Sequence, residues 1–351
     1  MIEEKIVVAN LKITDESIRD SFPELWKVLE DDEVTDFDFN CGNIWFSTVS
    51  ALPKQIVDSK LDAAYMERFA HYIGRMEGSN FNECEHTVYS GTNTLRITCI
   101  QESRTRSGLA VCIRKFGEKA RLNRDNAVDI GFCDEGELHM LENVVDARLS
   151  CFVGGLPGVG KTETVKLMSS FIPKYEKTVI IEDVPEINYP INNPGANCTE
   201  LRVMNGDYKE CLETLLRLNT RWSIFGEVRG KEAKYLLESW SHGIPLMATG
   251  HVSGAAYVPD RILNMLNDRR DSVRIVNQLH KDIGLSLYIN KHVEKDGTVR
   301  RYLQEACFFD RNGEENIKAM VVENGKLHKD KIPTYLRTRI EEKIGKDLFK
   351  Q

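Results

Sequence analysis

One stretch of this chain is built to hold phosphate. Residues 155–162 read Gly-Leu-Pro-Gly-Val-Gly-Lys-Thr and match the pattern G-x-x-x-x-G-K-[ST] in full. The spacing has a mechanical reason. Gly155, Gly158 and Gly160 let the backbone fold around an anion and turn its N–H groups inward. A helix starting at the end of the loop adds the positive end of its dipole. Lys161 is placed to reach β- and γ-phosphates, and the Thr162 hydroxyl to hold Mg²⁺. Pro157 and Val159 complete the cradle, and Glu163 follows in the first turn of the helix. The ligand this predicts is ATP with Mg²⁺.

Turnover needs more than a cradle. It needs a strand-end acid near the metal and a group that orients or deprotonates the attacking water. Two apolar runs end in acids: Val179-Ile180-Ile181 in Glu182-Asp183, and Ser223-Ile224-Phe225-Gly226 in Glu227. Glu182 and Glu227 are the expected catalytic carboxylates and, with Thr162, the expected metal-side oxygens. His251 follows Met247-Ala248-Thr249-Gly250 at a third strand end, where an imidazole could sense a γ-phosphate or polarise water.

The elements that must position these groups read as an α/β sheet from residue 148 onward. Expected strands lie at 149–153, 178–181, 201–204, 223–225 and 246–249, with helices at 163–171, 207–218, 231–241 and 254–267. In open sheets of this kind, ligand groups gather at the carboxyl ends of the strands. A hairpin over 284–309 turns at Asp296-Gly297, and the charged stretch 326–350 reads as a solvated helix. The first 117 residues read as a smaller α+β domain. It has a hairpin across 34–48, a helix over 61–76 and strands at 94–100 and 108–114. A polar, basic segment at 118–126 heads a linker over 118–136, leaving 137–351 as the phosphate-binding domain. A helix over 137–147 leads into the first of its strands.

Composition narrows the class further. The chain has 351 residues, ordinary apolar and charged fractions (41% and 29%) and a formal charge of −7. It therefore has no global basic field to draw it to nucleic acid. Arg261, Arg269, Arg270 and Arg274 form a local basic run, read as a solvated helix face. Nine scattered cysteines without a C-x-x-C pair fit reduced thiols in a cytosol rather than a zinc site. The opening MIEEKIVVAN does not read as a signal peptide, and no run approaches the roughly 20 apolar residues of a membrane span.

Taken in order, the loop GLPGVGKT, VIIEDVPEI (179–187), LLRLNTRWSIFGEVRGKEA (215–233) and ATGHVSGA (248–255) resemble the secretion-superfamily traffic ATPases. These serve type II and type IV secretion, conjugation and the assembly of tight-adherence and type IV pili. FGEVRG is the most specific match, including the Gly in place of an Asp in the family's Walker B strand. Ile181-Glu182-Asp183 resembles its aspartate box, and Ala248-Thr249-Gly250-His251 its histidine box. The resemblance runs from roughly 94 to 310. It implies a C-terminal RecA-like P-loop domain behind a smaller N-terminal α+β domain, assembled as a homo-hexameric ring. It also implies a cytoplasmic chain held at the inner face of the membrane through platform or apparatus proteins. By the same resemblance Glu182 is the leading general base and Glu227 takes the Walker B role. His251 is the histidine-box residue, and Arg114, Arg202, Arg217 and Arg229 are nucleotide contacts. Glu163 departs from the family's usual small hydroxyl residue and stands to repel the α-phosphate. That departure supports an alternative, a low-turnover nucleotide-binding ring scaffold; a DNA-handling P-loop motor is a third reading.

Overall fold

Buried apolar side chains sort into three clusters, one in an N-terminal unit and two on opposite faces of a sheet in a second unit. The computed structural model describes residues 13–58, 60–117, 119–204, 206–230, 232–266 and 271–351. Arg269 and Arg270 of the basic run lie outside the described residues. The first unit takes in the described residues of Met1–Gly117 together with Val293–Val299, and the second those of Glu118–His292 and Arg300–Gln351.

The first unit runs α1 (Asp15–Ser21), α2 (Pro23–Leu29), β1 (Val34–Asn40), β2 (Asn43–Thr48), β3 (Lys54–Ile56), α3 (Ala63–Glu77), β4 (Thr87–Gly91), β5 (Leu95–Ile100) and β6 (Ala110–Lys115). Its six strands form one antiparallel sheet in the order β3-β2-β1-β6-β5-β4. Alternate residues such as Phe37 and Phe39, or Val111 and Ile113, point into a core closed by Ile18, Leu25 and Phe69 of the helices. Asp62 caps α3 by accepting the Tyr65 N–H at 2.8 Å. The helices α1 and α2 are too short to show a period in the sequence, and they are held by this core instead.

The second unit runs α4 (Glu135–Asp146), β7 (Ser150–Gly155), α5 (Lys161–Ser169), β8 (Thr178–Glu182), α6 (Tyr189–Asn192), β9 (Cys198–Arg202), α7 (Tyr208–Leu215), β10 (Trp222–Val228), α8 (Ala233–Ser241), β11 (Leu246–Gly250), α9 (Val258–Leu266), α10 (Ser272–Asp282), β12 (Ile283–Val293), β13 (Val299–Asn312), β14 (Glu315–Glu323), β15 (Lys326–Leu327) and α11 (Thr334–Ile344). Nine strands form one sheet, β15-β14-β13-β12-β7-β11-β10-β8-β9, parallel from β12 through β9. Helices cover both faces, so strand residues on either side are buried. Ile180 and Ile224 enter one cluster, while Val179, Ile181 and Phe225 enter the other. That two-sided burial is why these strands read as continuous apolar runs.

The C-terminal stretch differs from its sequence reading. Instead of one solvated helix over 326–350, it holds β15 and α11, and Leu336, Ile340, Leu348 and Phe349 are buried in the core of the second unit. A few apolar residues on one side suffice to seat a helix whose composition is otherwise charged. In the polar segment ahead of α4, Leu122, Ala127 and Phe132 are buried in the same core.

Candidate nucleotide site

The phosphate loop joins the buried strand β7 to α5. Gly155 has φ 150°, and a Cβ there would lie 2.6 Å from Ile289 O and 2.7 Å from Val159 Cγ2, so only glycine fits where the strand opens into the loop. α5 starts behind Gly160 with no side-chain cap, which leaves its first-turn N–H groups for an anion. The Lys161 ammonium rests on two loop carbonyls, Gly155 O at 3.2 Å and Leu156 O at 3.1 Å.

The neighbouring strand ends supply a connected series of charged groups. β11 delivers His251, whose Nδ1 lies 3.0 Å from Gly155 O and 3.3 Å from Lys161 Nζ. Its Nε2 is 2.6 Å from Glu227 Oε1 of β10. Nε2 thus faces the Glu227 carboxylate, while Nδ1 lies between the Gly155 carbonyl and the Lys161 ammonium. Arg229 grips the other Glu227 oxygen through Nη2 at 2.6 Å and Nε at 2.9 Å, and its Nη1 is 3.9 Å from Asp183 Oδ2. Partial burial alone would raise the Glu227 pKa. The Arg229 hydrogen bond and charge, aided by His251 and Lys161, outweigh it and hold the carboxyl below the usual range.

Glu182 ends β8 in different surroundings. It is 7% exposed, and its Oε1 accepts the backbone N–H groups of Glu186 and Ile187, both at 3.2 Å. A Cβ on Gly226 of the adjacent strand would come within 3.1 Å of Glu182 Cγ, so the glycine in the Walker B-like strand makes room for this side chain. Burial drives the Glu182 pKa well above 4.5. The charges of Glu186 and Glu200 reinforce the shift, while the two backbone donors oppose it. The loop that Glu182 holds brings a different acid to the site: Thr162 Oγ1 donates to Glu186 Oε2 at 3.1 Å.

Sequence reasoning did not single out Glu186. The available signal was its place four residues past Glu182, in a turn that folds back from the strand end. Glu163 points elsewhere. Its carboxylate accepts the Arg121 N–H at 2.6 Å and pairs with Lys166 Nζ at 3.0 Å. Of the three arginines in the second unit, Arg229 joins the charged series. Arg202 and Arg217 are exposed, at the end of β9 and just beyond α7. Arg114 lies on β6 of the first unit, its Nε 2.9 Å from Asp36 Oδ1.

The donors fit the expected ligands. A loop of backbone donors with one ammonium suits phosphate, and the paired hydroxyl and carboxylate of Thr162 and Glu186 are hard oxygen ligands of the kind Mg²⁺ takes. A profile of the Type II/IV secretion system protein family matches residues 90–286, more than half of the chain. The chain belongs to this family of Type II/IV secretion system proteins. Among relatives, an uncharacterised Bacillus anthracis protein is 25% identical over 273 residues, covering 75% of this chain and 60% of its own length. The conjugal transfer protein TrbB of Rhizobium radiobacter is 27% identical over 198 residues, covering 56% of this chain and 59% of TrbB. The chain spans about half the length of several of the curated relatives it matches. Solved structures share the fold. The Legionella pneumophila ATPase DotB aligns with TM-score 0.61 at 14% identity over 83% of this chain and 81% of DotB. The pilus retraction motor PilT with bound ADP aligns with TM-score 0.57 at 15% identity over 83% and 84%. Among the described residues, no helix is long and apolar enough to cross a membrane.

Proposed function

We propose that this traffic ATPase chain hydrolyses ATP with Mg²⁺ as one subunit of a six-membered ring. The ring drives a secretion, conjugation or pilus-assembly apparatus from the cytoplasmic face of a membrane. The observation that carries the reading is the contact series from Lys161 through His251, Glu227 and Arg229 to Asp183, which ties the phosphate loop to three strand ends. Family membership and relatives named as conjugal transfer proteins support the apparatus. The number six comes from the family resemblance.

In this reading the backbone of 155–162 and Lys161 hold the polyphosphate, and Thr162 with Glu186 forms the metal side. Bound Mg²⁺ supplies charge neutralisation on the phosphate oxygens. Lys161 leaves its carbonyls for phosphate oxygens, which places a fixed positive charge where transition-state charge gathers. Glu227, kept ionised by Arg229 and His251, orients water together with Glu186. Glu182 holds the 186–187 turn in place. The scaffold alternative rested on Glu163 repelling phosphate, and the Lys166 partner removes that support. The DNA-motor alternative rested on the basic run. There Arg261 donates to His251 O at 3.1 Å, and Arg274 is 4.0 Å from Asp271.

The test is Mg²⁺-dependent ATP hydrolysis by the purified chain. Lys161→Ala abolishes it; unchanged turnover in that variant overturns the assignment. Analytical ultracentrifugation at tens of micromolar, with and without a non-hydrolysable ATP analogue, reads the ring. A strict monomer in both conditions refutes the ring and leaves the hydrolysis test standing.

A further inference from the structure

The β12–β13 hairpin reaches the phosphate loop from the flank opposite His251. In the sheet, β12 lies on one side of β7 and β11 on the other, with Ile289 paired to Gly155 and Gly250 to Gly154. From β13, Arg301 Nε donates to Gly158 O at 3.1 Å. Its stem runs on along the loop, since a Cβ on Gly160 would meet Arg301 Cδ at 3.4 Å. From β12, Lys291 Nζ stands 3.8 Å from where a Cβ on Gly158 would lie. Two cations of the hairpin therefore flank the segment that must present N–H groups to phosphate.

We propose that Arg301 is a positioning residue of the nucleotide site, a brace that fixes the Gly158–Val159 peptide plane. This rests on the nucleotide reading above. In a planar trans peptide the C=O and the following N–H point in opposite directions. A donor that holds the Gly158 carbonyl toward the hairpin aims the Val159 N–H away from it, into the loop. Glycine at 158 leaves this plane free to rotate, so the cradle needs an outside group to set it. A guanidinium does so with a charge of the sign the ligand requires. Arg301 therefore acts on ground-state binding of any nucleotide with a β-phosphate, ADP and ATP alike.

The experiment measures ADP and Mg²⁺–ATP affinity by calorimetry, with kcat at saturating ATP, for the full chain and for Arg301→Ala, Arg301→Gln and Arg301→Lys. Arg301→Ala weakens both nucleotides about tenfold, the size of one lost charge-assisted hydrogen bond. Its kcat stays within about threefold, because the reacting groups are intact. Arg301→Lys, which keeps a cationic donor, recovers most of the affinity. Unchanged ADP affinity in a folded Arg301→Ala chain overturns the brace, and so does a fall in kcat with affinity intact. Should the alanine chain not fold, Arg301→Gln against Arg301→Lys carries the same comparison, with equal affinities in that pair overturning it. A wild-type chain that binds neither nucleotide refutes the nucleotide reading instead.

Discussion

Glu182 and Glu227 end strands on either side of the β8–β10 pairing, yet the protein treats them as opposites. Glu182 is sealed under its own turn, held by two backbone N–H groups and pushed toward the protonated form by burial. Glu227 sits partly buried between Arg229 and His251 and is held ionised. Like residues at like positions have been given opposite electrostatic surroundings, desolvation on one side and paired charge on the other. Gly226 takes part in the division, since the space it leaves is where Glu182 lies.

The largest expected effect tests which acids face the reaction. Glu227→Gln and Glu186→Gln each cut ATP turnover by about 10²-fold or more while affinity for ADP without Mg²⁺ stays within about threefold, because these groups orient water or hold the metal rather than grip phosphate. Glu182→Gln costs less than about tenfold, since glutamine keeps an acceptor for the 186–187 N–H groups. Steady-state hydrolysis and ADP titration of the three variants decide it. If Glu182→Gln proves the most damaging to turnover, the buried acid is the base and the division of labour falls.

Stability should rank them the other way. Glu182→Ala leaves the Glu186 and Ile187 N–H groups without their acceptor in a closed space. Unpaired buried donors cost about 1–3 kcal/mol each, so a loss on the order of 2–4 kcal/mol is expected. Glu227→Ala removes a partly exposed ion pair whose partners stay accessible to water, and costs less, about 1 kcal/mol. Urea unfolding of the two variants reads the difference, and equal losses would break the comparison.

Much of this site was legible from residue types. The loop spacing gave the cradle, and the apolar runs ending at Glu182, Glu227 and Gly250 gave the strand ends, because a parallel sheet buried on both faces leaves that pattern. What the sequence hid depended on the third dimension. Glu186 lies in a turn with no periodicity, and it matters only because Glu182 folds that turn back toward Thr162. Glu163 looked like a repulsive charge until its partners, Lys166 and the 121–122 backbone, came into view. Arg301 sits 139 positions beyond Thr162 and reaches the loop only through strand order. In the tail, charge composition concealed Leu336 and Ile340, whose burial comes from one face of α11.

The smallest effect is the sharpest on the comparison, because it has opposite signs at the two acids. The folded-state pKa of Glu182 lies above its ordinary 4.5. Its contribution to stability is full below about pH 4.5 and is lost as pH rises through the folded value. The Glu227 pKa lies below 4.5, so its contribution is present above that pH and is lost as pH falls through the depressed value. Glutamine removes each titration. Measured as Tm relative to wild type between pH 4 and pH 8, Glu182→Gln should therefore gain as pH rises. Glu227→Gln should lose most of its ground near pH 4 to 5 and then run level. Each change is expected to be a few degrees, the response of a chain of this size to about 1 kcal/mol. Two curves of the same slope would mean that both carboxyls share one environment, and the buried hydrogen bonds of Glu182 would then have no electrostatic consequence.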